Sequence, residues 1–304
     1  MRVGAALHRR PHHSRCNRDC RQEPPPPPPM ASLLSSLTFP PPPSILTNVI
    51  SVASVATLAY TGVSEATGGS HLQYSKFRDA SAAPGKLLDA LGISGRQVSS
   101  RAGMASLYTP ALIAALAAFG IPGVVSGTPR VAPVAAALGV HFLKRVLEVL
   151  FLHRFSGYVT IDSLIPITTS YFTNTVFTIY AQYLTQGMPE PPIDLRYPGY
   201  ILFLVGISGN FYHHVLLSNL RKKGEKGYKI PTGGLFGLVI CPHYLFEIIG
   251  LFGISFIGQT LQSFAFALGS AFYLVGRSHA TRKWYLSKFE DFPKEVKALI
   301  PYVF

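Results

Sequence analysis

The sequence predicts an all-α fold, a multi-pass membrane helical bundle of about seven transmembrane helices. Three observations lead there. The 304 residues are 48% hydrophobic and only 13% charged, where a soluble domain carries about 25% charged residues. The mean hydropathy is +0.28. Apolar segments close to the ~20 residues that cross a bilayer core recur along the chain, and the Lys and Arg collect in the loops between them.

Taken in order, residues 1–29 differ from the rest. Six arginines and a run of six prolines cannot build a core, so this stretch is expected to be a disordered basic, proline-rich extension. An Arg-rich targeting presequence is the other reading, but Asp19, Glu23 and the prolines spoil its amphipathic helix. Met30 then marks the expected start of the folded chain. The spans are expected at 44–62, 103–125, 132–152, 159–184, 199–217, 235–256 and 261–279. The first is rich in Ser and Thr, and Pro122, Pro166 and the 189–192 prolines end or kink helices. A polar loop covers 63–102, and the tail from 280 is basic and aromatic. No internal repeat is visible. The expected division is an N-terminal transmembrane region over 30–140 and a C-terminal domain over 141–304.

Seven spans place alternate loops on opposite sides. Loops 63–102, 153–158, 218–234 and the tail hold sixteen Lys and Arg, against two in loops 126–131, 185–198 and 257–260. The positive-inside rule makes the first set cytosolic, together with the C-terminus. The same clustering argues against nucleic acid as the partner of a chain with formal charge +13. Cys16 and Cys20 in the polar tail and Cys241 in an apolar segment make neither a disulfide framework nor a zinc spacing, and no metal is expected.

The stretch from Arg221 to Gly250 is the most informative. A basic loop (Arg221, Lys222, Lys223, Lys226, Lys229) turns at Pro231-Thr232-Gly233-Gly234 and enters an apolar helix carrying His243 and Glu247 on one face. Ionisable groups at that depth cost roughly 2.5–3.5 kcal/mol each on insertion scales and mark sites by default. The third span holds His141, Lys144, Arg145 and Glu148 within two turns. A self-paired cluster snorkelling near a helix end is the bland explanation, and a cavity or ligand the sharper one. In the fifth span Asn210, His214 and Arg221 share a face, and Asn210 alone could be interhelical glue. Adjacent His213 and His214 face different ways. Arg277, Thr281 and Tyr285 form one continuous face, whereas Lys283, Lys288, Lys294 and Lys297 read as a headgroup surface. A basic loop beside a polar-lined helix suits a ligand with phosphates at one end and a reactive ring within the membrane.

YKIPTGGLF, followed by KFEDFPKEVKALIPYVF, resembles the C-terminal domain of the steroid 5α-reductases. HFLKRVLEVLFLHRFS resembles the corresponding helix of the trans-2-enoyl-CoA reductases, and CPHYLFE is similar to that group and to the polyprenol reductases. The resemblance runs from about His141 to Phe304 and is closest overall to the plant 3-oxo-5α-steroid 4-dehydrogenase family. It implies a seven-helix reductase of the endoplasmic reticulum membrane using NADPH. The family's cofactor contacts match Asn210, Arg221 and Tyr285, its Arg–Glu partners match Arg145 and Glu247, and its last-helix Arg matches Arg277. Three positions depart. His214 stands for an aspartate, His243 for an asparagine, and Thr281 for a histidine. At the chemistry the ketosteroid enzymes' donor Tyr is Phe142 here, and their helix-two Glu matches Tyr108 by a looser alignment anchored at Pro110.

The resulting expectation is NADPH-dependent reduction of a C=C bond conjugated to a carbonyl in a lipid, either a 3-oxo-Δ4-steroid or a very-long-chain trans-2-enoyl-CoA, with a polyprenol as a further option. Tyr108 is the expected catalytic donor. Arg145, Asn210, His214, Arg221, His243, Glu247, Arg277 and Tyr285 are the expected cofactor contacts. On the enoyl-CoA option a fatty-acid elongation complex is the implied partner. The alternatives are a membrane methyltransferase using S-adenosylmethionine, which the phosphate-suited basic loop disfavours, and a non-catalytic scaffold of the same fold.

Overall fold

The computed structural model describes residues 29–69, 71–72, 75–77, 89, 92, 95–155, 157–220, 225 and 227–304. The expectations for residues 1–28 and for Arg221, Lys222, Lys223 and Lys226 fall outside them. The described chain is helical: α1 (Pro29–Leu37), α2 (Ile45–Thr67), α3 (Ser100–Gly120), α4 (Val131–Leu147), α5 (Ile161–Tyr183), α6 (Arg196–Asn219), α7 (Pro242–Gly258) and α8 (Leu261–Lys288).

Local chemistry sets several of these boundaries. Ser44, Ser99 and Thr260 cap α2, α3 and α8, each side chain accepting from the backbone N–H three residues on, which satisfies a donor the helix cannot. Gly68, left-handed at φ 77°, ends α2. Gln259, at φ 51°, reverses the chain between α7 and α8.

Several boundaries differ from those the hydropathy predicts. The sixth segment becomes helical only at Pro242. Gly233 and Gly234 take positive φ, residues 234–237 form one 3-10 turn, and Val239 bridges to Lys297. Ile240 and Cys241 donate to the carbonyls of Lys297 and Ala298 at 2.9 and 3.2 Å. With the preceding backbone engaged by the tail, Pro242 takes the helix-start position where its missing N–H costs nothing. Residues 158–160 are not helix but a short strand, β2, paired antiparallel with β1 (Gln97–Ser99). α3 stops at Gly120, short of the expected 125, and α8 runs to Lys288, past the expected 279, while the third segment reaches the expected 152 through one π-helical turn, Glu148–Leu152.

α2, α3 and α6 are long and apolar enough to cross a membrane, and α7 is a shorter apolar helix of 17 residues, roughly 26 Å at 1.5 Å per residue. The boundary expected at residue 140 lies within α4, and α2 packs along α8.

Small residues allow the close crossings. A Cβ on Gly206 would run into the backbone of Gly250, and one on Gly276 into the carbonyl of Gly62. The first contact joins α6 and α7, the second α2 and α8. Close backbone approach through small residues is how helices associate where lipid leaves little hydrophobic driving force.

The loops gather at two ends. β1 joins loop 63–102 to loop 153–158. Lys76 lies 5.7 Å from the Trp284 ring, and the Tyr285 hydroxyl donates to the Lys229 carbonyl at 3.4 Å. The four basic loops therefore share one end of the bundle. At the other end Arg130, fully buried, donates to Glu190 at 2.7 Å, to Asp194 at 3.1 Å, to the Ile257 carbonyl at 2.8 Å and to the Gln259 side chain at 2.9 Å. Gln259 in turn holds the carbonyls of Leu37 and Ile193.

Two outcomes are expected. Gly206→Ala lowers thermal stability in detergent by about 1–3 kcal/mol, the usual cost of overpacking. Gly250→Ala is mild, because a Cβ there meets its first neighbour at 3.7 Å; equal losses in the two variants would contradict the crossing geometry. The second outcome concerns pH. Hydrogen bonds from Arg196, helped by Arg130, hold the Asp194 carboxyl down at about 2. A depressed carboxyl stabilises the folded state above its ordinary value near 3.8 and loses that contribution as pH falls through 2. Proteolytic protection of loop 184–195 is therefore expected to fall between about pH 4 and 2 by more in the wild type than in Asp194→Asn, measured side by side.

Candidate functional site

The site is built on α4. His141, Lys144, Arg145 and Glu148 recur at helical spacing, so one face of α4 carries all four toward its neighbours. Glu148, 2% exposed, is the node. Its carboxylate lies 2.9 Å from the Lys144 ammonium, 3.4 Å from the Arg145 guanidinium and 3.0 Å from Nδ1 of His214 on α6.

From this node two arms extend. On one side Arg145 donates to the Tyr108 hydroxyl of α3 and lies 4.7 Å from that ring's centroid. On the other, Lys144 donates to the Asn210 side-chain oxygen of α6. The Asn210 amide donates to the His243 carbonyl at 2.8 Å and to the Glu247 carboxylate at 2.9 Å, both on α7. Glu247 returns to α4, 3.7 Å from His141 Nε2. The His243 ring is 5.5 Å from that of His214, and its buried Nδ1 has no hydrogen-bond partner among the described residues, as is true of the Arg145 Nε. Polar atoms left open in a buried site are where a ligand's polar groups can bind.

His213 points the other way, as its place beside His214 requires. Its Nδ1 meets the Gly209 carbonyl at 2.7 Å, its Nε2 accepts from the Leu235 N–H at 3.1 Å, and the ring stacks on Phe246. It fixes the turn before α7.

His141 and Glu247 form a common wall between two spaces. On one side lies a mainly apolar cavity of about 120 Å³ among α2, α5, α7 and α8, with Ser170, Tyr171, Ser270 and Tyr273 on its walls. On the other lies a narrow crevice bordered by Lys144, Asn210, Gly206 and Gly250. The crevice therefore opens beside the glycine crossing of α6 and α7.

Six of the residues expected from sequence meet here: Tyr108, Arg145, Asn210, His214, His243 and Glu247. Two others lie apart from that network. Arg277, 1% exposed, makes a two-pronged bond to Glu65 of α2 at 2.7 and 2.8 Å and stacks 4.0 Å above Phe77. Tyr285 lies at the end where the basic loops gather, its ring stacked on Phe289 and 5.2 Å from the Lys76 ammonium. The face expected of Arg277, Thr281 and Tyr285 is buried throughout. Arg221 lies outside the described residues.

Sequence reasoning missed two residues. Glu65 lies just past the predicted end of the first span, where it reads as a loop charge. Tyr171 lies in an apolar segment and reads as one aromatic among several, yet it lines the cavity. Its ring is 5.7 Å from Tyr108 and 5.6 Å, edge-on, from Phe142. Glu148, His153 and His214 each bring one ligand-type atom within 4.8 Å of the others. Lys144 and Arg145 already neutralise the only carboxylate of the three, so a divalent cation would have to displace two paired cations.

Glu148→Ala is expected to cost about 3–5 kcal/mol, the range for removing one partner of buried ion pairs and stranding the others. Thermal unfolding in detergent checks this. Wild-type stability in the variant would mean that Lys144 and Arg145 are neutralised elsewhere.

The amino-acid sequence has recognisable relatives. The family model described as 3-oxo-5-alpha-steroid 4-dehydrogenase matches residues 163–304. The chain is 44% identical over 107 residues to "Steroid 5-alpha-reductase DET2" of Gossypium hirsutum, covering 35% of this chain and 42% of that protein. It is 36% identical over 170 residues to "Very-long-chain enoyl-CoA reductase" of Dictyostelium discoideum, covering 54% and 55%. It is 44% identical over 105 residues to "3-oxo-5-alpha-steroid 4-dehydrogenase 1" of Mus musculus, covering 34% and 41%. The chain thus spans about half the length of the curated relatives it matches.

Proposed function

Because the C-terminal part of the chain belongs to the steroid 5α-reductase / trans-2-enoyl-CoA reductase superfamily, we propose that this protein is a membrane oxidoreductase that reduces a C=C bond conjugated to a carbonyl in a lipid, using NADPH. The observation that carries the reading is the shared wall. His141 and Glu247 border both an apolar cavity suited to a lipid and a narrow crevice where Lys144 and Asn210 offer polar contacts to a nicotinamide carboxamide. A hydride donor and its acceptor must lie face to face, and this wall lies between spaces suited to each.

The residues fit such a cofactor. Asn210 and Glu247 offer amide and carboxylate partners for a carboxamide, and the open Nδ1 of His243 adds another polar contact. Arg221, with Lys222, Lys223, Lys226 and Lys229, would hold the phosphates, and Arg277 and Tyr285 would flank them. When bound, NADPH supplies the hydride. The chain's own part is to orient both reactants, keep water from the apolar cavity and stabilise the charge that develops on the carbonyl oxygen. Donors aimed at that developing charge are usually the largest single contribution to such catalysis. The Arg145–Tyr108 pair is the polarising arm.

This reading includes seven spans, the endoplasmic reticulum membrane, and a cytosolic C-terminus with the cofactor's phosphate end on the same face. The gathering of the four basic loops at one end supports that orientation through the positive-inside rule. The relatives named for steroid and for enoyl-CoA reduction keep both substrate classes in view. On the second, the protein would work beside a fatty-acid elongation complex.

The deciding experiment is a thermal-shift titration of the purified protein with NADPH and, separately, with S-adenosylmethionine. At about 100 times its Kd a ligand stabilises by roughly 2.7 kcal/mol, so NADPH alone should raise the midpoint. A shift with S-adenosylmethionine only would favour the methyltransferase alternative, and none with either the scaffold. Arg221→Ala is expected to weaken NADPH about tenfold or more, since a charge-assisted contact contributes about 1.5–3 kcal/mol. Unchanged affinity would remove Arg221 from the site.

A further inference from the structure

We propose that Tyr171 is the residue that presents a hydrogen bond to the substrate carbonyl, with Tyr108 and Arg145 acting behind it as positioning residues. This rests on the ene-reductase reading above and places Tyr171 between its Arg145–Tyr108 arm and the substrate carbonyl.

The donor must reach the cavity. Tyr108 is 3% exposed and is engaged by Arg145. The cavity wall is formed instead by Tyr171, whose ring packs 5.7 Å from that of Tyr108. Phe142, fully buried, meets both His141 and Tyr171 edge-on at 4.9 and 5.6 Å. It has no proton to donate, but it braces the Tyr171 ring against α4. His141 and Glu247 occupy the wall shared with the crevice, where the hydride would arrive. The carbonyl oxygen lies along the conjugated system from the carbon that receives it, so its donor belongs on another wall. Serine and threonine hydroxyls there are weaker acids than a phenol, whose ordinary pKa is near 10. Of the cavity phenols, Tyr171 is the one whose ring packs on Tyr108, over which the Arg145 guanidinium lies. A guanidinium donating to the Tyr108 oxygen leaves that phenol its own proton and polarises it, directly behind the Tyr171 ring.

In the step, a hydride from the reduced nicotinamide adds to the β-carbon. The C=C π pair shifts to form an enolate, whose oxygen is stabilised by the Tyr171 O–H. The carbonyl then re-forms as the α-carbon takes one proton from solvent. Net consumption is one NADPH and one proton per double bond, and Tyr171 ends as it began.

The test uses the full-length protein in detergent with two probes, progesterone as an α,β-unsaturated ketone and trans-2-hexadecenoyl-CoA. Turnover is read as NADPH oxidation, and the infrared carbonyl stretch of bound progesterone is read without NADPH. Tyr171→Phe should lower kcat about 10²–10³-fold, the size seen for loss of one such donor. It should leave the NADPH thermal shift intact and move the carbonyl band back toward its unbonded frequency. Tyr108→Phe should lower kcat less and move the band only part of the way. Tyr180→Phe, exposed on α5 and outside the cavity lining, should keep wild-type turnover. Normal turnover and an unshifted band in Tyr171→Phe would overturn the assignment while leaving the reductase reading in place. So would a Tyr108→Phe variant that loses both signals when Tyr171→Phe keeps them. Wild-type protein that oxidises NADPH with neither probe would overturn the reductase reading and this inference with it.

Discussion

Ionisable side chains buried in an apolar bundle must be neutralised by partners on neighbouring helices, and much of this structure follows from that requirement. Glu148 answers two cations of its own helix and one histidine of α6. Through those cations the pairing extends to Tyr108 on α3 and to Asn210 and Glu247 on α6 and α7. Four helices are thereby held in one register at the level of the site. Leaving any of these groups unpaired at such depth costs far more than a surface ion pair contributes, so the network specifies the arrangement as well as the chemistry.

The pairing is possible only because the backbones come close. Gly206 meets Gly250 one turn from the Asn210–Glu247 bond, and Gly62 meets Gly276 beside the Glu65–Arg277 pair. In each case the absence of a side chain at the crossing brings the two helices close enough for polar side chains to pair nearby. Packing and electrostatics are one device here. The glycines set the distance, and the polar pairs make that distance worth keeping.

The same network divides the interior. His141 and Glu247 border both the apolar cavity and the narrow crevice that Lys144 and Asn210 also line. Arg130 and Gln259 bind the loops at the opposite end, so the end that holds the basic loops can be devoted to ligand contact. Tyr108 packs against the Arg145 guanidinium, and Tyr171, packed on Tyr108, lines the cavity.

The sequence by itself determined the helical bundle, the order of its segments and which loops share an end, because hydropathy and loop charge are local quantities. It also brought forward the α4 cluster, Asn210, His214, His243 and Glu247, since each is a costly group in an apolar segment. The exact helix starts were not legible. The delay of α7 to Pro242 depends on backbone pairing with Lys297 and Ala298, more than fifty residues away, and β1 pairs with β2 across the length of two helices. Nor could spacing alone separate Arg277 from the α4 network: its partner, Glu65, is brought to it by the packing of α2 along α8. Tyr171 was hidden for the same reason. One aromatic in an apolar helix looks like any other until the fold turns it toward a cavity and sets a tyrosine and an arginine behind it. Composition and periodicity report what a residue costs, while only tertiary contact decides what it faces.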